Sequence, residues 1–86
     1  MKIEKKILPE YFQNIVDGDK NFELRLADWK CEKGDILVLK EWNPKTREYT
    51  GRVIEKTVGY VLRTKDVNFW DRGEVEKYGY QIISLK

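Results

Sequence analysis

Apolar and polar residues alternate with period two across Asn21–Leu26, which places Phe22, Leu24 and Leu26 on one side of a strand and Asn21, Glu23 and Arg25 on the other. The apolar side is expected in the core and the polar side in solvent. Strand patterns recur at about Asp35–Trp42, Arg52–Arg63 and Tyr80–Leu85, with Ile3–Ile7 a weaker candidate. Ile36-Leu37-Val38-Leu39 is apolar on both faces, which fits a strand buried inside a closed or covered sheet, and Trp42 at its end is expected in the core. Leu8–Gly18 follows a helical pattern instead. Pro9 suits a first turn, Glu10 complements the N-terminus, Gly18 suits the left-handed position after the last turn, and Phe12, Ile15 and Val16 form the buried stripe. That stripe is expected to pack on Phe22, Leu24, Ile36 and Val38.

Asn43-Pro44-Lys45-Thr46 carries turn chemistry, so residues 43–51 are expected to form a hairpin loop closed by Gly51. Gly59, inside the longest strand pattern, marks a bulge or bend. Residues 64–78 lose the alternation, and Val67, Phe69, Trp70 and Val75 suggest a short helix or lid there. The expected fold is α+β and mainly β: a small mixed barrel of five to six strands with one or two short helices.

Eighty-six residues make a single domain, 1–86, with one modest core. Apolar residues are 41% and charged residues 37% of the chain, and no apolar run approaches the roughly 18 residues that span a bilayer. The first residues show no apolar leader segment, so a cytoplasmic location and no membrane partner are expected. With no histidine and only Cys31, neither the usual zinc ligand sets nor a histidine-based triad can be assembled, and neither metal nor cofactor is expected. Cys31 is expected to be an ordinary, partly buried thiol. The net charge of +2 is unevenly spread: Lys45, Arg47, Arg52, Lys56, Arg63 and Lys65 outweigh Glu48 and Glu55, whereas Asp66, Asp71, Glu74 and Glu76 outweigh Arg72. A basic hairpin therefore stands beside an acidic loop.

Glu23 and Arg25, two apart on one strand face, have Cβ atoms about 6.5–7 Å apart, so their tips can meet or hold a ligand between them. With Lys20 they form a constellation able to read a hydrogen-bonding ligand. The plainer alternative is an exposed strand face with a surface ion pair.

Ile7-Leu8-Pro9-Glu10-Tyr11-Phe12, Gly18-x-Lys20-x-Phe22-Glu23-Leu24-Arg25, Gly34-Asp35 with the strand after it, Tyr49-Thr50-Gly51-Arg52 and Gly79-Tyr80 together resemble the small ASCH domains of the PUA-like superfamily, in order and over nearly the whole chain. The resemblance implies a small barrel with a cleft beside the Gly-x-Lys strand that takes RNA or a modified nucleoside. Lys20, Glu23 and Arg25 would line that cleft, with Tyr49, Thr50 and Arg52 on the neighbouring hairpin. The chain departs from the pattern at Ile3, where relatives tend to carry histidine, and at Ala27-Asp28-Trp29, where they carry Asn-Asp-Arg.

Three function classes follow. In an RNA- or nucleotide-binding module, Lys20 and the basic hairpin meet phosphate, Glu23 and Arg25 read base or sugar edges, and Trp29 or Trp70 stacks on a base. Some ASCH proteins are amidohydrolases that deacylate acetylcytidine with a lysine, a threonine and a glutamate, which would make Lys20 and Glu23 catalytic; their nucleophilic threonine falls where this chain has Glu23, and a carboxylate is no simple substitute for an activated hydroxyl. Thr50 and Thr64, with Glu74 or Glu76, are the other candidates for that chemistry. For a protein-interaction module the chain offers only exposed aromatics, and nothing in it selects a protein partner.

Overall fold

The computed structural model describes residues 1–67 and 73–86. Its strands are β1 (Lys2–Ile7), β2 (Phe22–Leu26), β3 (Ile36–Asn43), β4 (Glu48–Arg63) and β5 (Tyr80–Leu85), with one helix, α1 (Pro9–Val16), between β1 and β2. The fold is α+β and mainly β. The five strands form one mixed sheet in the order β1-β3-β4-β5-β2, in which β1 runs parallel to β3 and the other neighbours are antiparallel.

The sheet is not a closed barrel. β1 and β2 are its two edges. β4 spends its first half on β3 and, past the register shift between Val58 and Tyr60, its second half on β5. The shift brackets Gly59, as a bend in a long strand requires. The curl brings the two edges close enough for the Arg25 guanidinium on β2 to donate to the Lys6 carbonyl on β1 at 2.7 Å, so a side chain spans the gap where a barrel would have a backbone ladder.

α1 begins on Pro9 with Glu10 in its first turn, and Phe12 and Ile15 face inward. Val16, expected in that stripe, is exposed. One residue is a 100° rotation, which carries it off the Phe12–Ile15 stripe toward solvent. Gly18 takes φ +83 at the helix end, where the Asn14 carbonyl accepts from both the Asp19 and Lys20 N–H groups and so aims Lys20 back toward β2.

The core joins Ile7, Phe12, Ile15, Cys31, Leu37, Leu39, Val58, Ile83 and Leu85, with Ile3, Trp29, Ile54 and Val61 packed half-buried against it. Each fully buried aliphatic side chain contributes about 1.5–3 kcal/mol. Leu37, Val38 and Leu39 are buried on the central strand, while Ile36 is half-buried.

β2 is inverted relative to the sequence expectation. Phe22, Leu24 and Leu26 are exposed, and Glu23 is only 3% exposed. The register with β5 decides this, because Glu23 stands opposite Ile83, which is wholly buried, and Leu24 stands opposite the exposed Ile82. A one-residue change of facing sends every side chain of a strand to the other side.

Trp42, expected in the core, is half-buried with its ring edge-on to Tyr49 at a centroid distance of 5.0 Å and the Lys6 ammonium 3.9 Å from its centre. The hairpin turn is only residues 44–47, so Gly51 lies within β4 rather than closing the loop. Single 3-10 turns at Thr64–Asp66 and Gly73–Glu76 occupy part of the segment expected to form a lid. Phe69, Trp70, Asp71 and Arg72 lie outside the described residues, as do the side chains of Glu74 and Val75.

Candidate ligand-binding cleft

Where the edges β1 and β2 face each other, a cleft of about 670 Å³ opens. The end of β1 and the residue after it supply Lys6, Ile7 and Leu8; α1 adds Tyr11 and Asn14; and the loop into β2, with β2 itself, adds Asp19, Lys20 and Phe22–Arg25. That size lies within the range of small-molecule sites.

The structure brings Lys20, Glu23 and Arg25 together. Glu23 Oε1 accepts from Lys20 Nζ at 2.6 Å, and Oε2 accepts from Arg25 Nε at 2.7 Å. Lys20 also donates to the Phe22 carbonyl at 2.6 Å, and Arg25 reaches across to Lys6. A carboxylate shut away from water is thereby held by two charge-assisted hydrogen bonds, the condition under which such burial is tolerated. Each carboxylate oxygen keeps a second lone pair, and the ammonium and guanidinium keep unused N–H groups. The Lys20 ammonium lies 5.0 Å from the Phe22 ring centre and 5.9 Å from that of Tyr11, so the polar cluster is bordered by two aromatic faces. Acceptors and donors side by side next to aromatic walls suit a flat ligand whose edge both donates and accepts.

Residues 3–82 match the sequence pattern of a family described as "Domain of unknown function (DUF3850)". The chain belongs to this family. It is also 35% identical over 63 residues to the "Uncharacterized 12.9 kDa protein in GpA 3'region" of Escherichia phage P2, a stretch that covers 73% of this chain and 56% of that relative. This DUF3850 chain thus matches little more than half the length of that phage protein.

The hairpin residues of the DUF3850 domain do not line the cleft. The Thr50 hydroxyl donates to Glu41 Oε1 at 2.6 Å and accepts from the Arg52 backbone N–H at 3.2 Å. Arg52 lies 3.9 Å from Glu41 Oε2, donates to Gln13 Oε1 at 3.1 Å and covers the Phe12 ring at 4.6 Å, tying the hairpin to α1. Tyr49 packs on Trp42. Trp29 is half-buried against the core, with the Lys5 ammonium 4.0 Å above its ring, and borders a separate hollow of about 260 Å³ with Arg63 and Tyr78. Trp70 lies outside the described residues.

Cys31 is buried, and burial pushes its thiol up from the ordinary value despite the Arg63 guanidinium, which pulls the other way. It stays protonated at neutral pH, so it is no nucleophile. Among the described residues no cluster of His, Cys, Asp or Glu is arranged to hold a metal ion, and no helix is long and apolar enough to cross a membrane.

Two buried polar residues were missed by the sequence reading, Glu41 and Gln81. Each falls in period two with apolar residues, Glu41 with Leu37 and Leu39 and Gln81 with Ile83 and Leu85, which was the available signal. Gln81 donates to the Trp29 carbonyl at 3.1 Å, and Glu41 sits at the register shift of β3, where Thr50 reaches it.

Proposed function

We propose that this domain binds a nucleobase-bearing ligand, an RNA segment or a modified nucleoside, in the cleft between β1 and β2. The observation that carries the reading is the buried Glu23 carboxylate held between Lys20 and Arg25 in the wall of a cleft of about 670 Å³. Nucleobases present N–H donors and ring-nitrogen or carbonyl acceptors side by side, which match a carboxylate flanked by a guanidinium and an ammonium. Tyr11 and Phe22 supply faces on which a base stacks, whereas Trp29 borders the separate hollow. The resemblance of the Gly18-x-Lys20-x-x-Glu23-x-Arg25 segment to ASCH domains points to the same pocket.

Binding is favoured over amide hydrolysis because no serine, threonine or cysteine stands among the described residues that line the cleft, and the Thr50 hydroxyl is committed to Glu41. The test is fluorescence anisotropy with a labelled short single-stranded RNA and, as competitor, cytidine monophosphate, at about 50 and about 300 mM salt. With two or three cationic contacts to phosphate, the affinity falls with a log–log slope of about −1.4 to −2. Arg25→Gln weakens binding in both salts. An affinity indifferent to Arg25 contradicts the assignment of the cleft.

A further inference from the structure

We propose that the outer face of the β4-β5-β2 half of the sheet is a self-association surface that seats a second copy of this chain. The register stacks its residues in three cross-strand rows: Phe22, Ser84 and Tyr60; Leu24, Ile82 and Leu62; and Leu26 beside Tyr80. All seven apolar members are exposed, from 37% at Ile82 to 57% at Leu24 and 63% at Tyr60. None of the eight positions is charged.

The other half of the same sheet is built differently. There the outer face carries Lys2, Glu4, Lys40 and Glu55, joined in cross-strand ion pairs, Lys2–Glu55 and Lys40–Glu4, both at 3.2 Å. One half of the sheet is thus finished for water and the other is not. The inner side of the apolar half mixes the core residues Val58, Ile83 and Leu85 with the inward-pointing Glu23, Arg25, Arg63 and Gln81. Seven exposed apolar side chains on a face without a charge depart from the polar outer side of a solvated sheet and mark a face that meets another surface.

The seven side chains leave about 600 Å² of apolar surface in water, at the upper end of the largest patch on a typical monomer. Two such faces, wholly covered, together remove at most about 1,200 Å², the lower bound for a specific protein–protein interface. Tyr and Phe enrichment with charge depletion is the composition of an interface centre. A second copy is the occupant because an isologous pairing needs only one patch that tolerates itself, and an uncharged three-strand face brings no like charges together. A nucleic acid is the poorer fit, since a face without lysine or arginine offers nothing to phosphate. Phe22 and Leu24 belong both to this face and to the wall of the cleft, so the partner borders the ligand's entrance.

Sedimentation analysis of the whole chain from about 5 to about 300 µM tests this, the range in which a small apolar interface is populated. The expected result is conversion of the 10.3 kDa chain to a species of twice that mass. Leu24→Lys and Leu62→Lys, in one row, each raise the dissociation constant at least about 30-fold, because each places an unpaired charge at the interface centre. Val53→Lys, an exposed position outside the three rows, changes it by less than about twofold. Melting curves within a few degrees of the parent's establish that the variants are folded. A wild-type chain that stays monomeric at the highest concentration overturns the proposal. So does a dimer that survives both lysine substitutions in folded protein, or RNA binding by a monomer that Leu62→Lys abolishes.

Discussion

Replacing Glu23 by glutamine keeps the shape of the side chain and removes its charge. The amide oxygen still accepts from one of the two cations, but the amide nitrogen then faces an N–H of the other. One short charge-assisted bond, of the 2.6 and 2.7 Å pair, is lost, and Lys20 and Arg25 are left facing each other without a counter-charge. Breaking a buried ion pair by removing one partner costs about 3–5 kcal/mol; here about 2–4 kcal/mol is expected, because Lys20 and Arg25 keep 16% and 25% of their side-chain surfaces in water. For an 86-residue domain that is a fall in Tm of about 10–25 °C. Circular dichroism melts at neutral pH, with guanidinium titration for the free energy, measure it. A companion variant, Lys20→Met with Glu23→Leu and Arg25→Met, recovers much of the loss because no charge is left unpaired. A Glu23→Gln protein within about 0.5 kcal/mol of the parent refutes the reasoning, since that is how an exposed strand position behaves.

Arg25→Lys keeps the charge but cannot hold Glu23 and the Lys6 carbonyl at once with a planar fork, so β1 and β2 lose their clip; amide exchange near Lys6 and Arg25 should speed by an amount equal to about 1–2 kcal/mol of local opening, while unchanged protection counts against the bridge. The Cys31 thiol, buried and raised in pKa, should react with a disulfide reagent only as fast as the chain opens, accelerating with denaturant; rapid labelling of native protein contradicts its placement. Asp35 is held below its ordinary value chiefly by the Glu32 backbone N–H and also by the N-terminal ammonium, so its ionised form favours the fold; that stability is complete above about pH 4 and is lost as pH falls through the lowered value, and Asp35→Asn should flatten this part of the acid limb, whereas parallel melting curves for the two proteins between pH 5 and pH 2 would refute the assignment.

The strands and the helix were legible because alternation and capping are local. Strand alternation separates two faces but does not say which is inside. For β2 that was settled by a partner more than fifty residues away, and the register placing Glu23 against Ile83 left no trace in the local pattern. Lys20, Glu23 and Arg25 were recognisable as a cluster because period two puts the last two on one side and the turn at Gly18 returns Lys20 to them. Their burial was not, since it depends on how the sheet curls. Barrel closure failed for a related reason: the sequence shows which segments are extended, not that β1 and β2 stop short of pairing. Thr50 and Arg52 were expected at the cleft, but Glu41 captures the first and Gln13 with Phe12 the second, through contacts that no spacing announces.

The most direct test of the cleft as a nucleobase site is an amide chemical-shift titration of isotopically labelled protein with short single-stranded RNA and with cytidine monophosphate. The account predicts saturable shifts gathered at Tyr11, Asn14, Lys20 and Phe22–Arg25, the residues that wall the cleft, and their disappearance in Arg25→Gln. Shifts confined to the Arg47–Arg52 hairpin, or none up to about 1 mM ligand, contradict it.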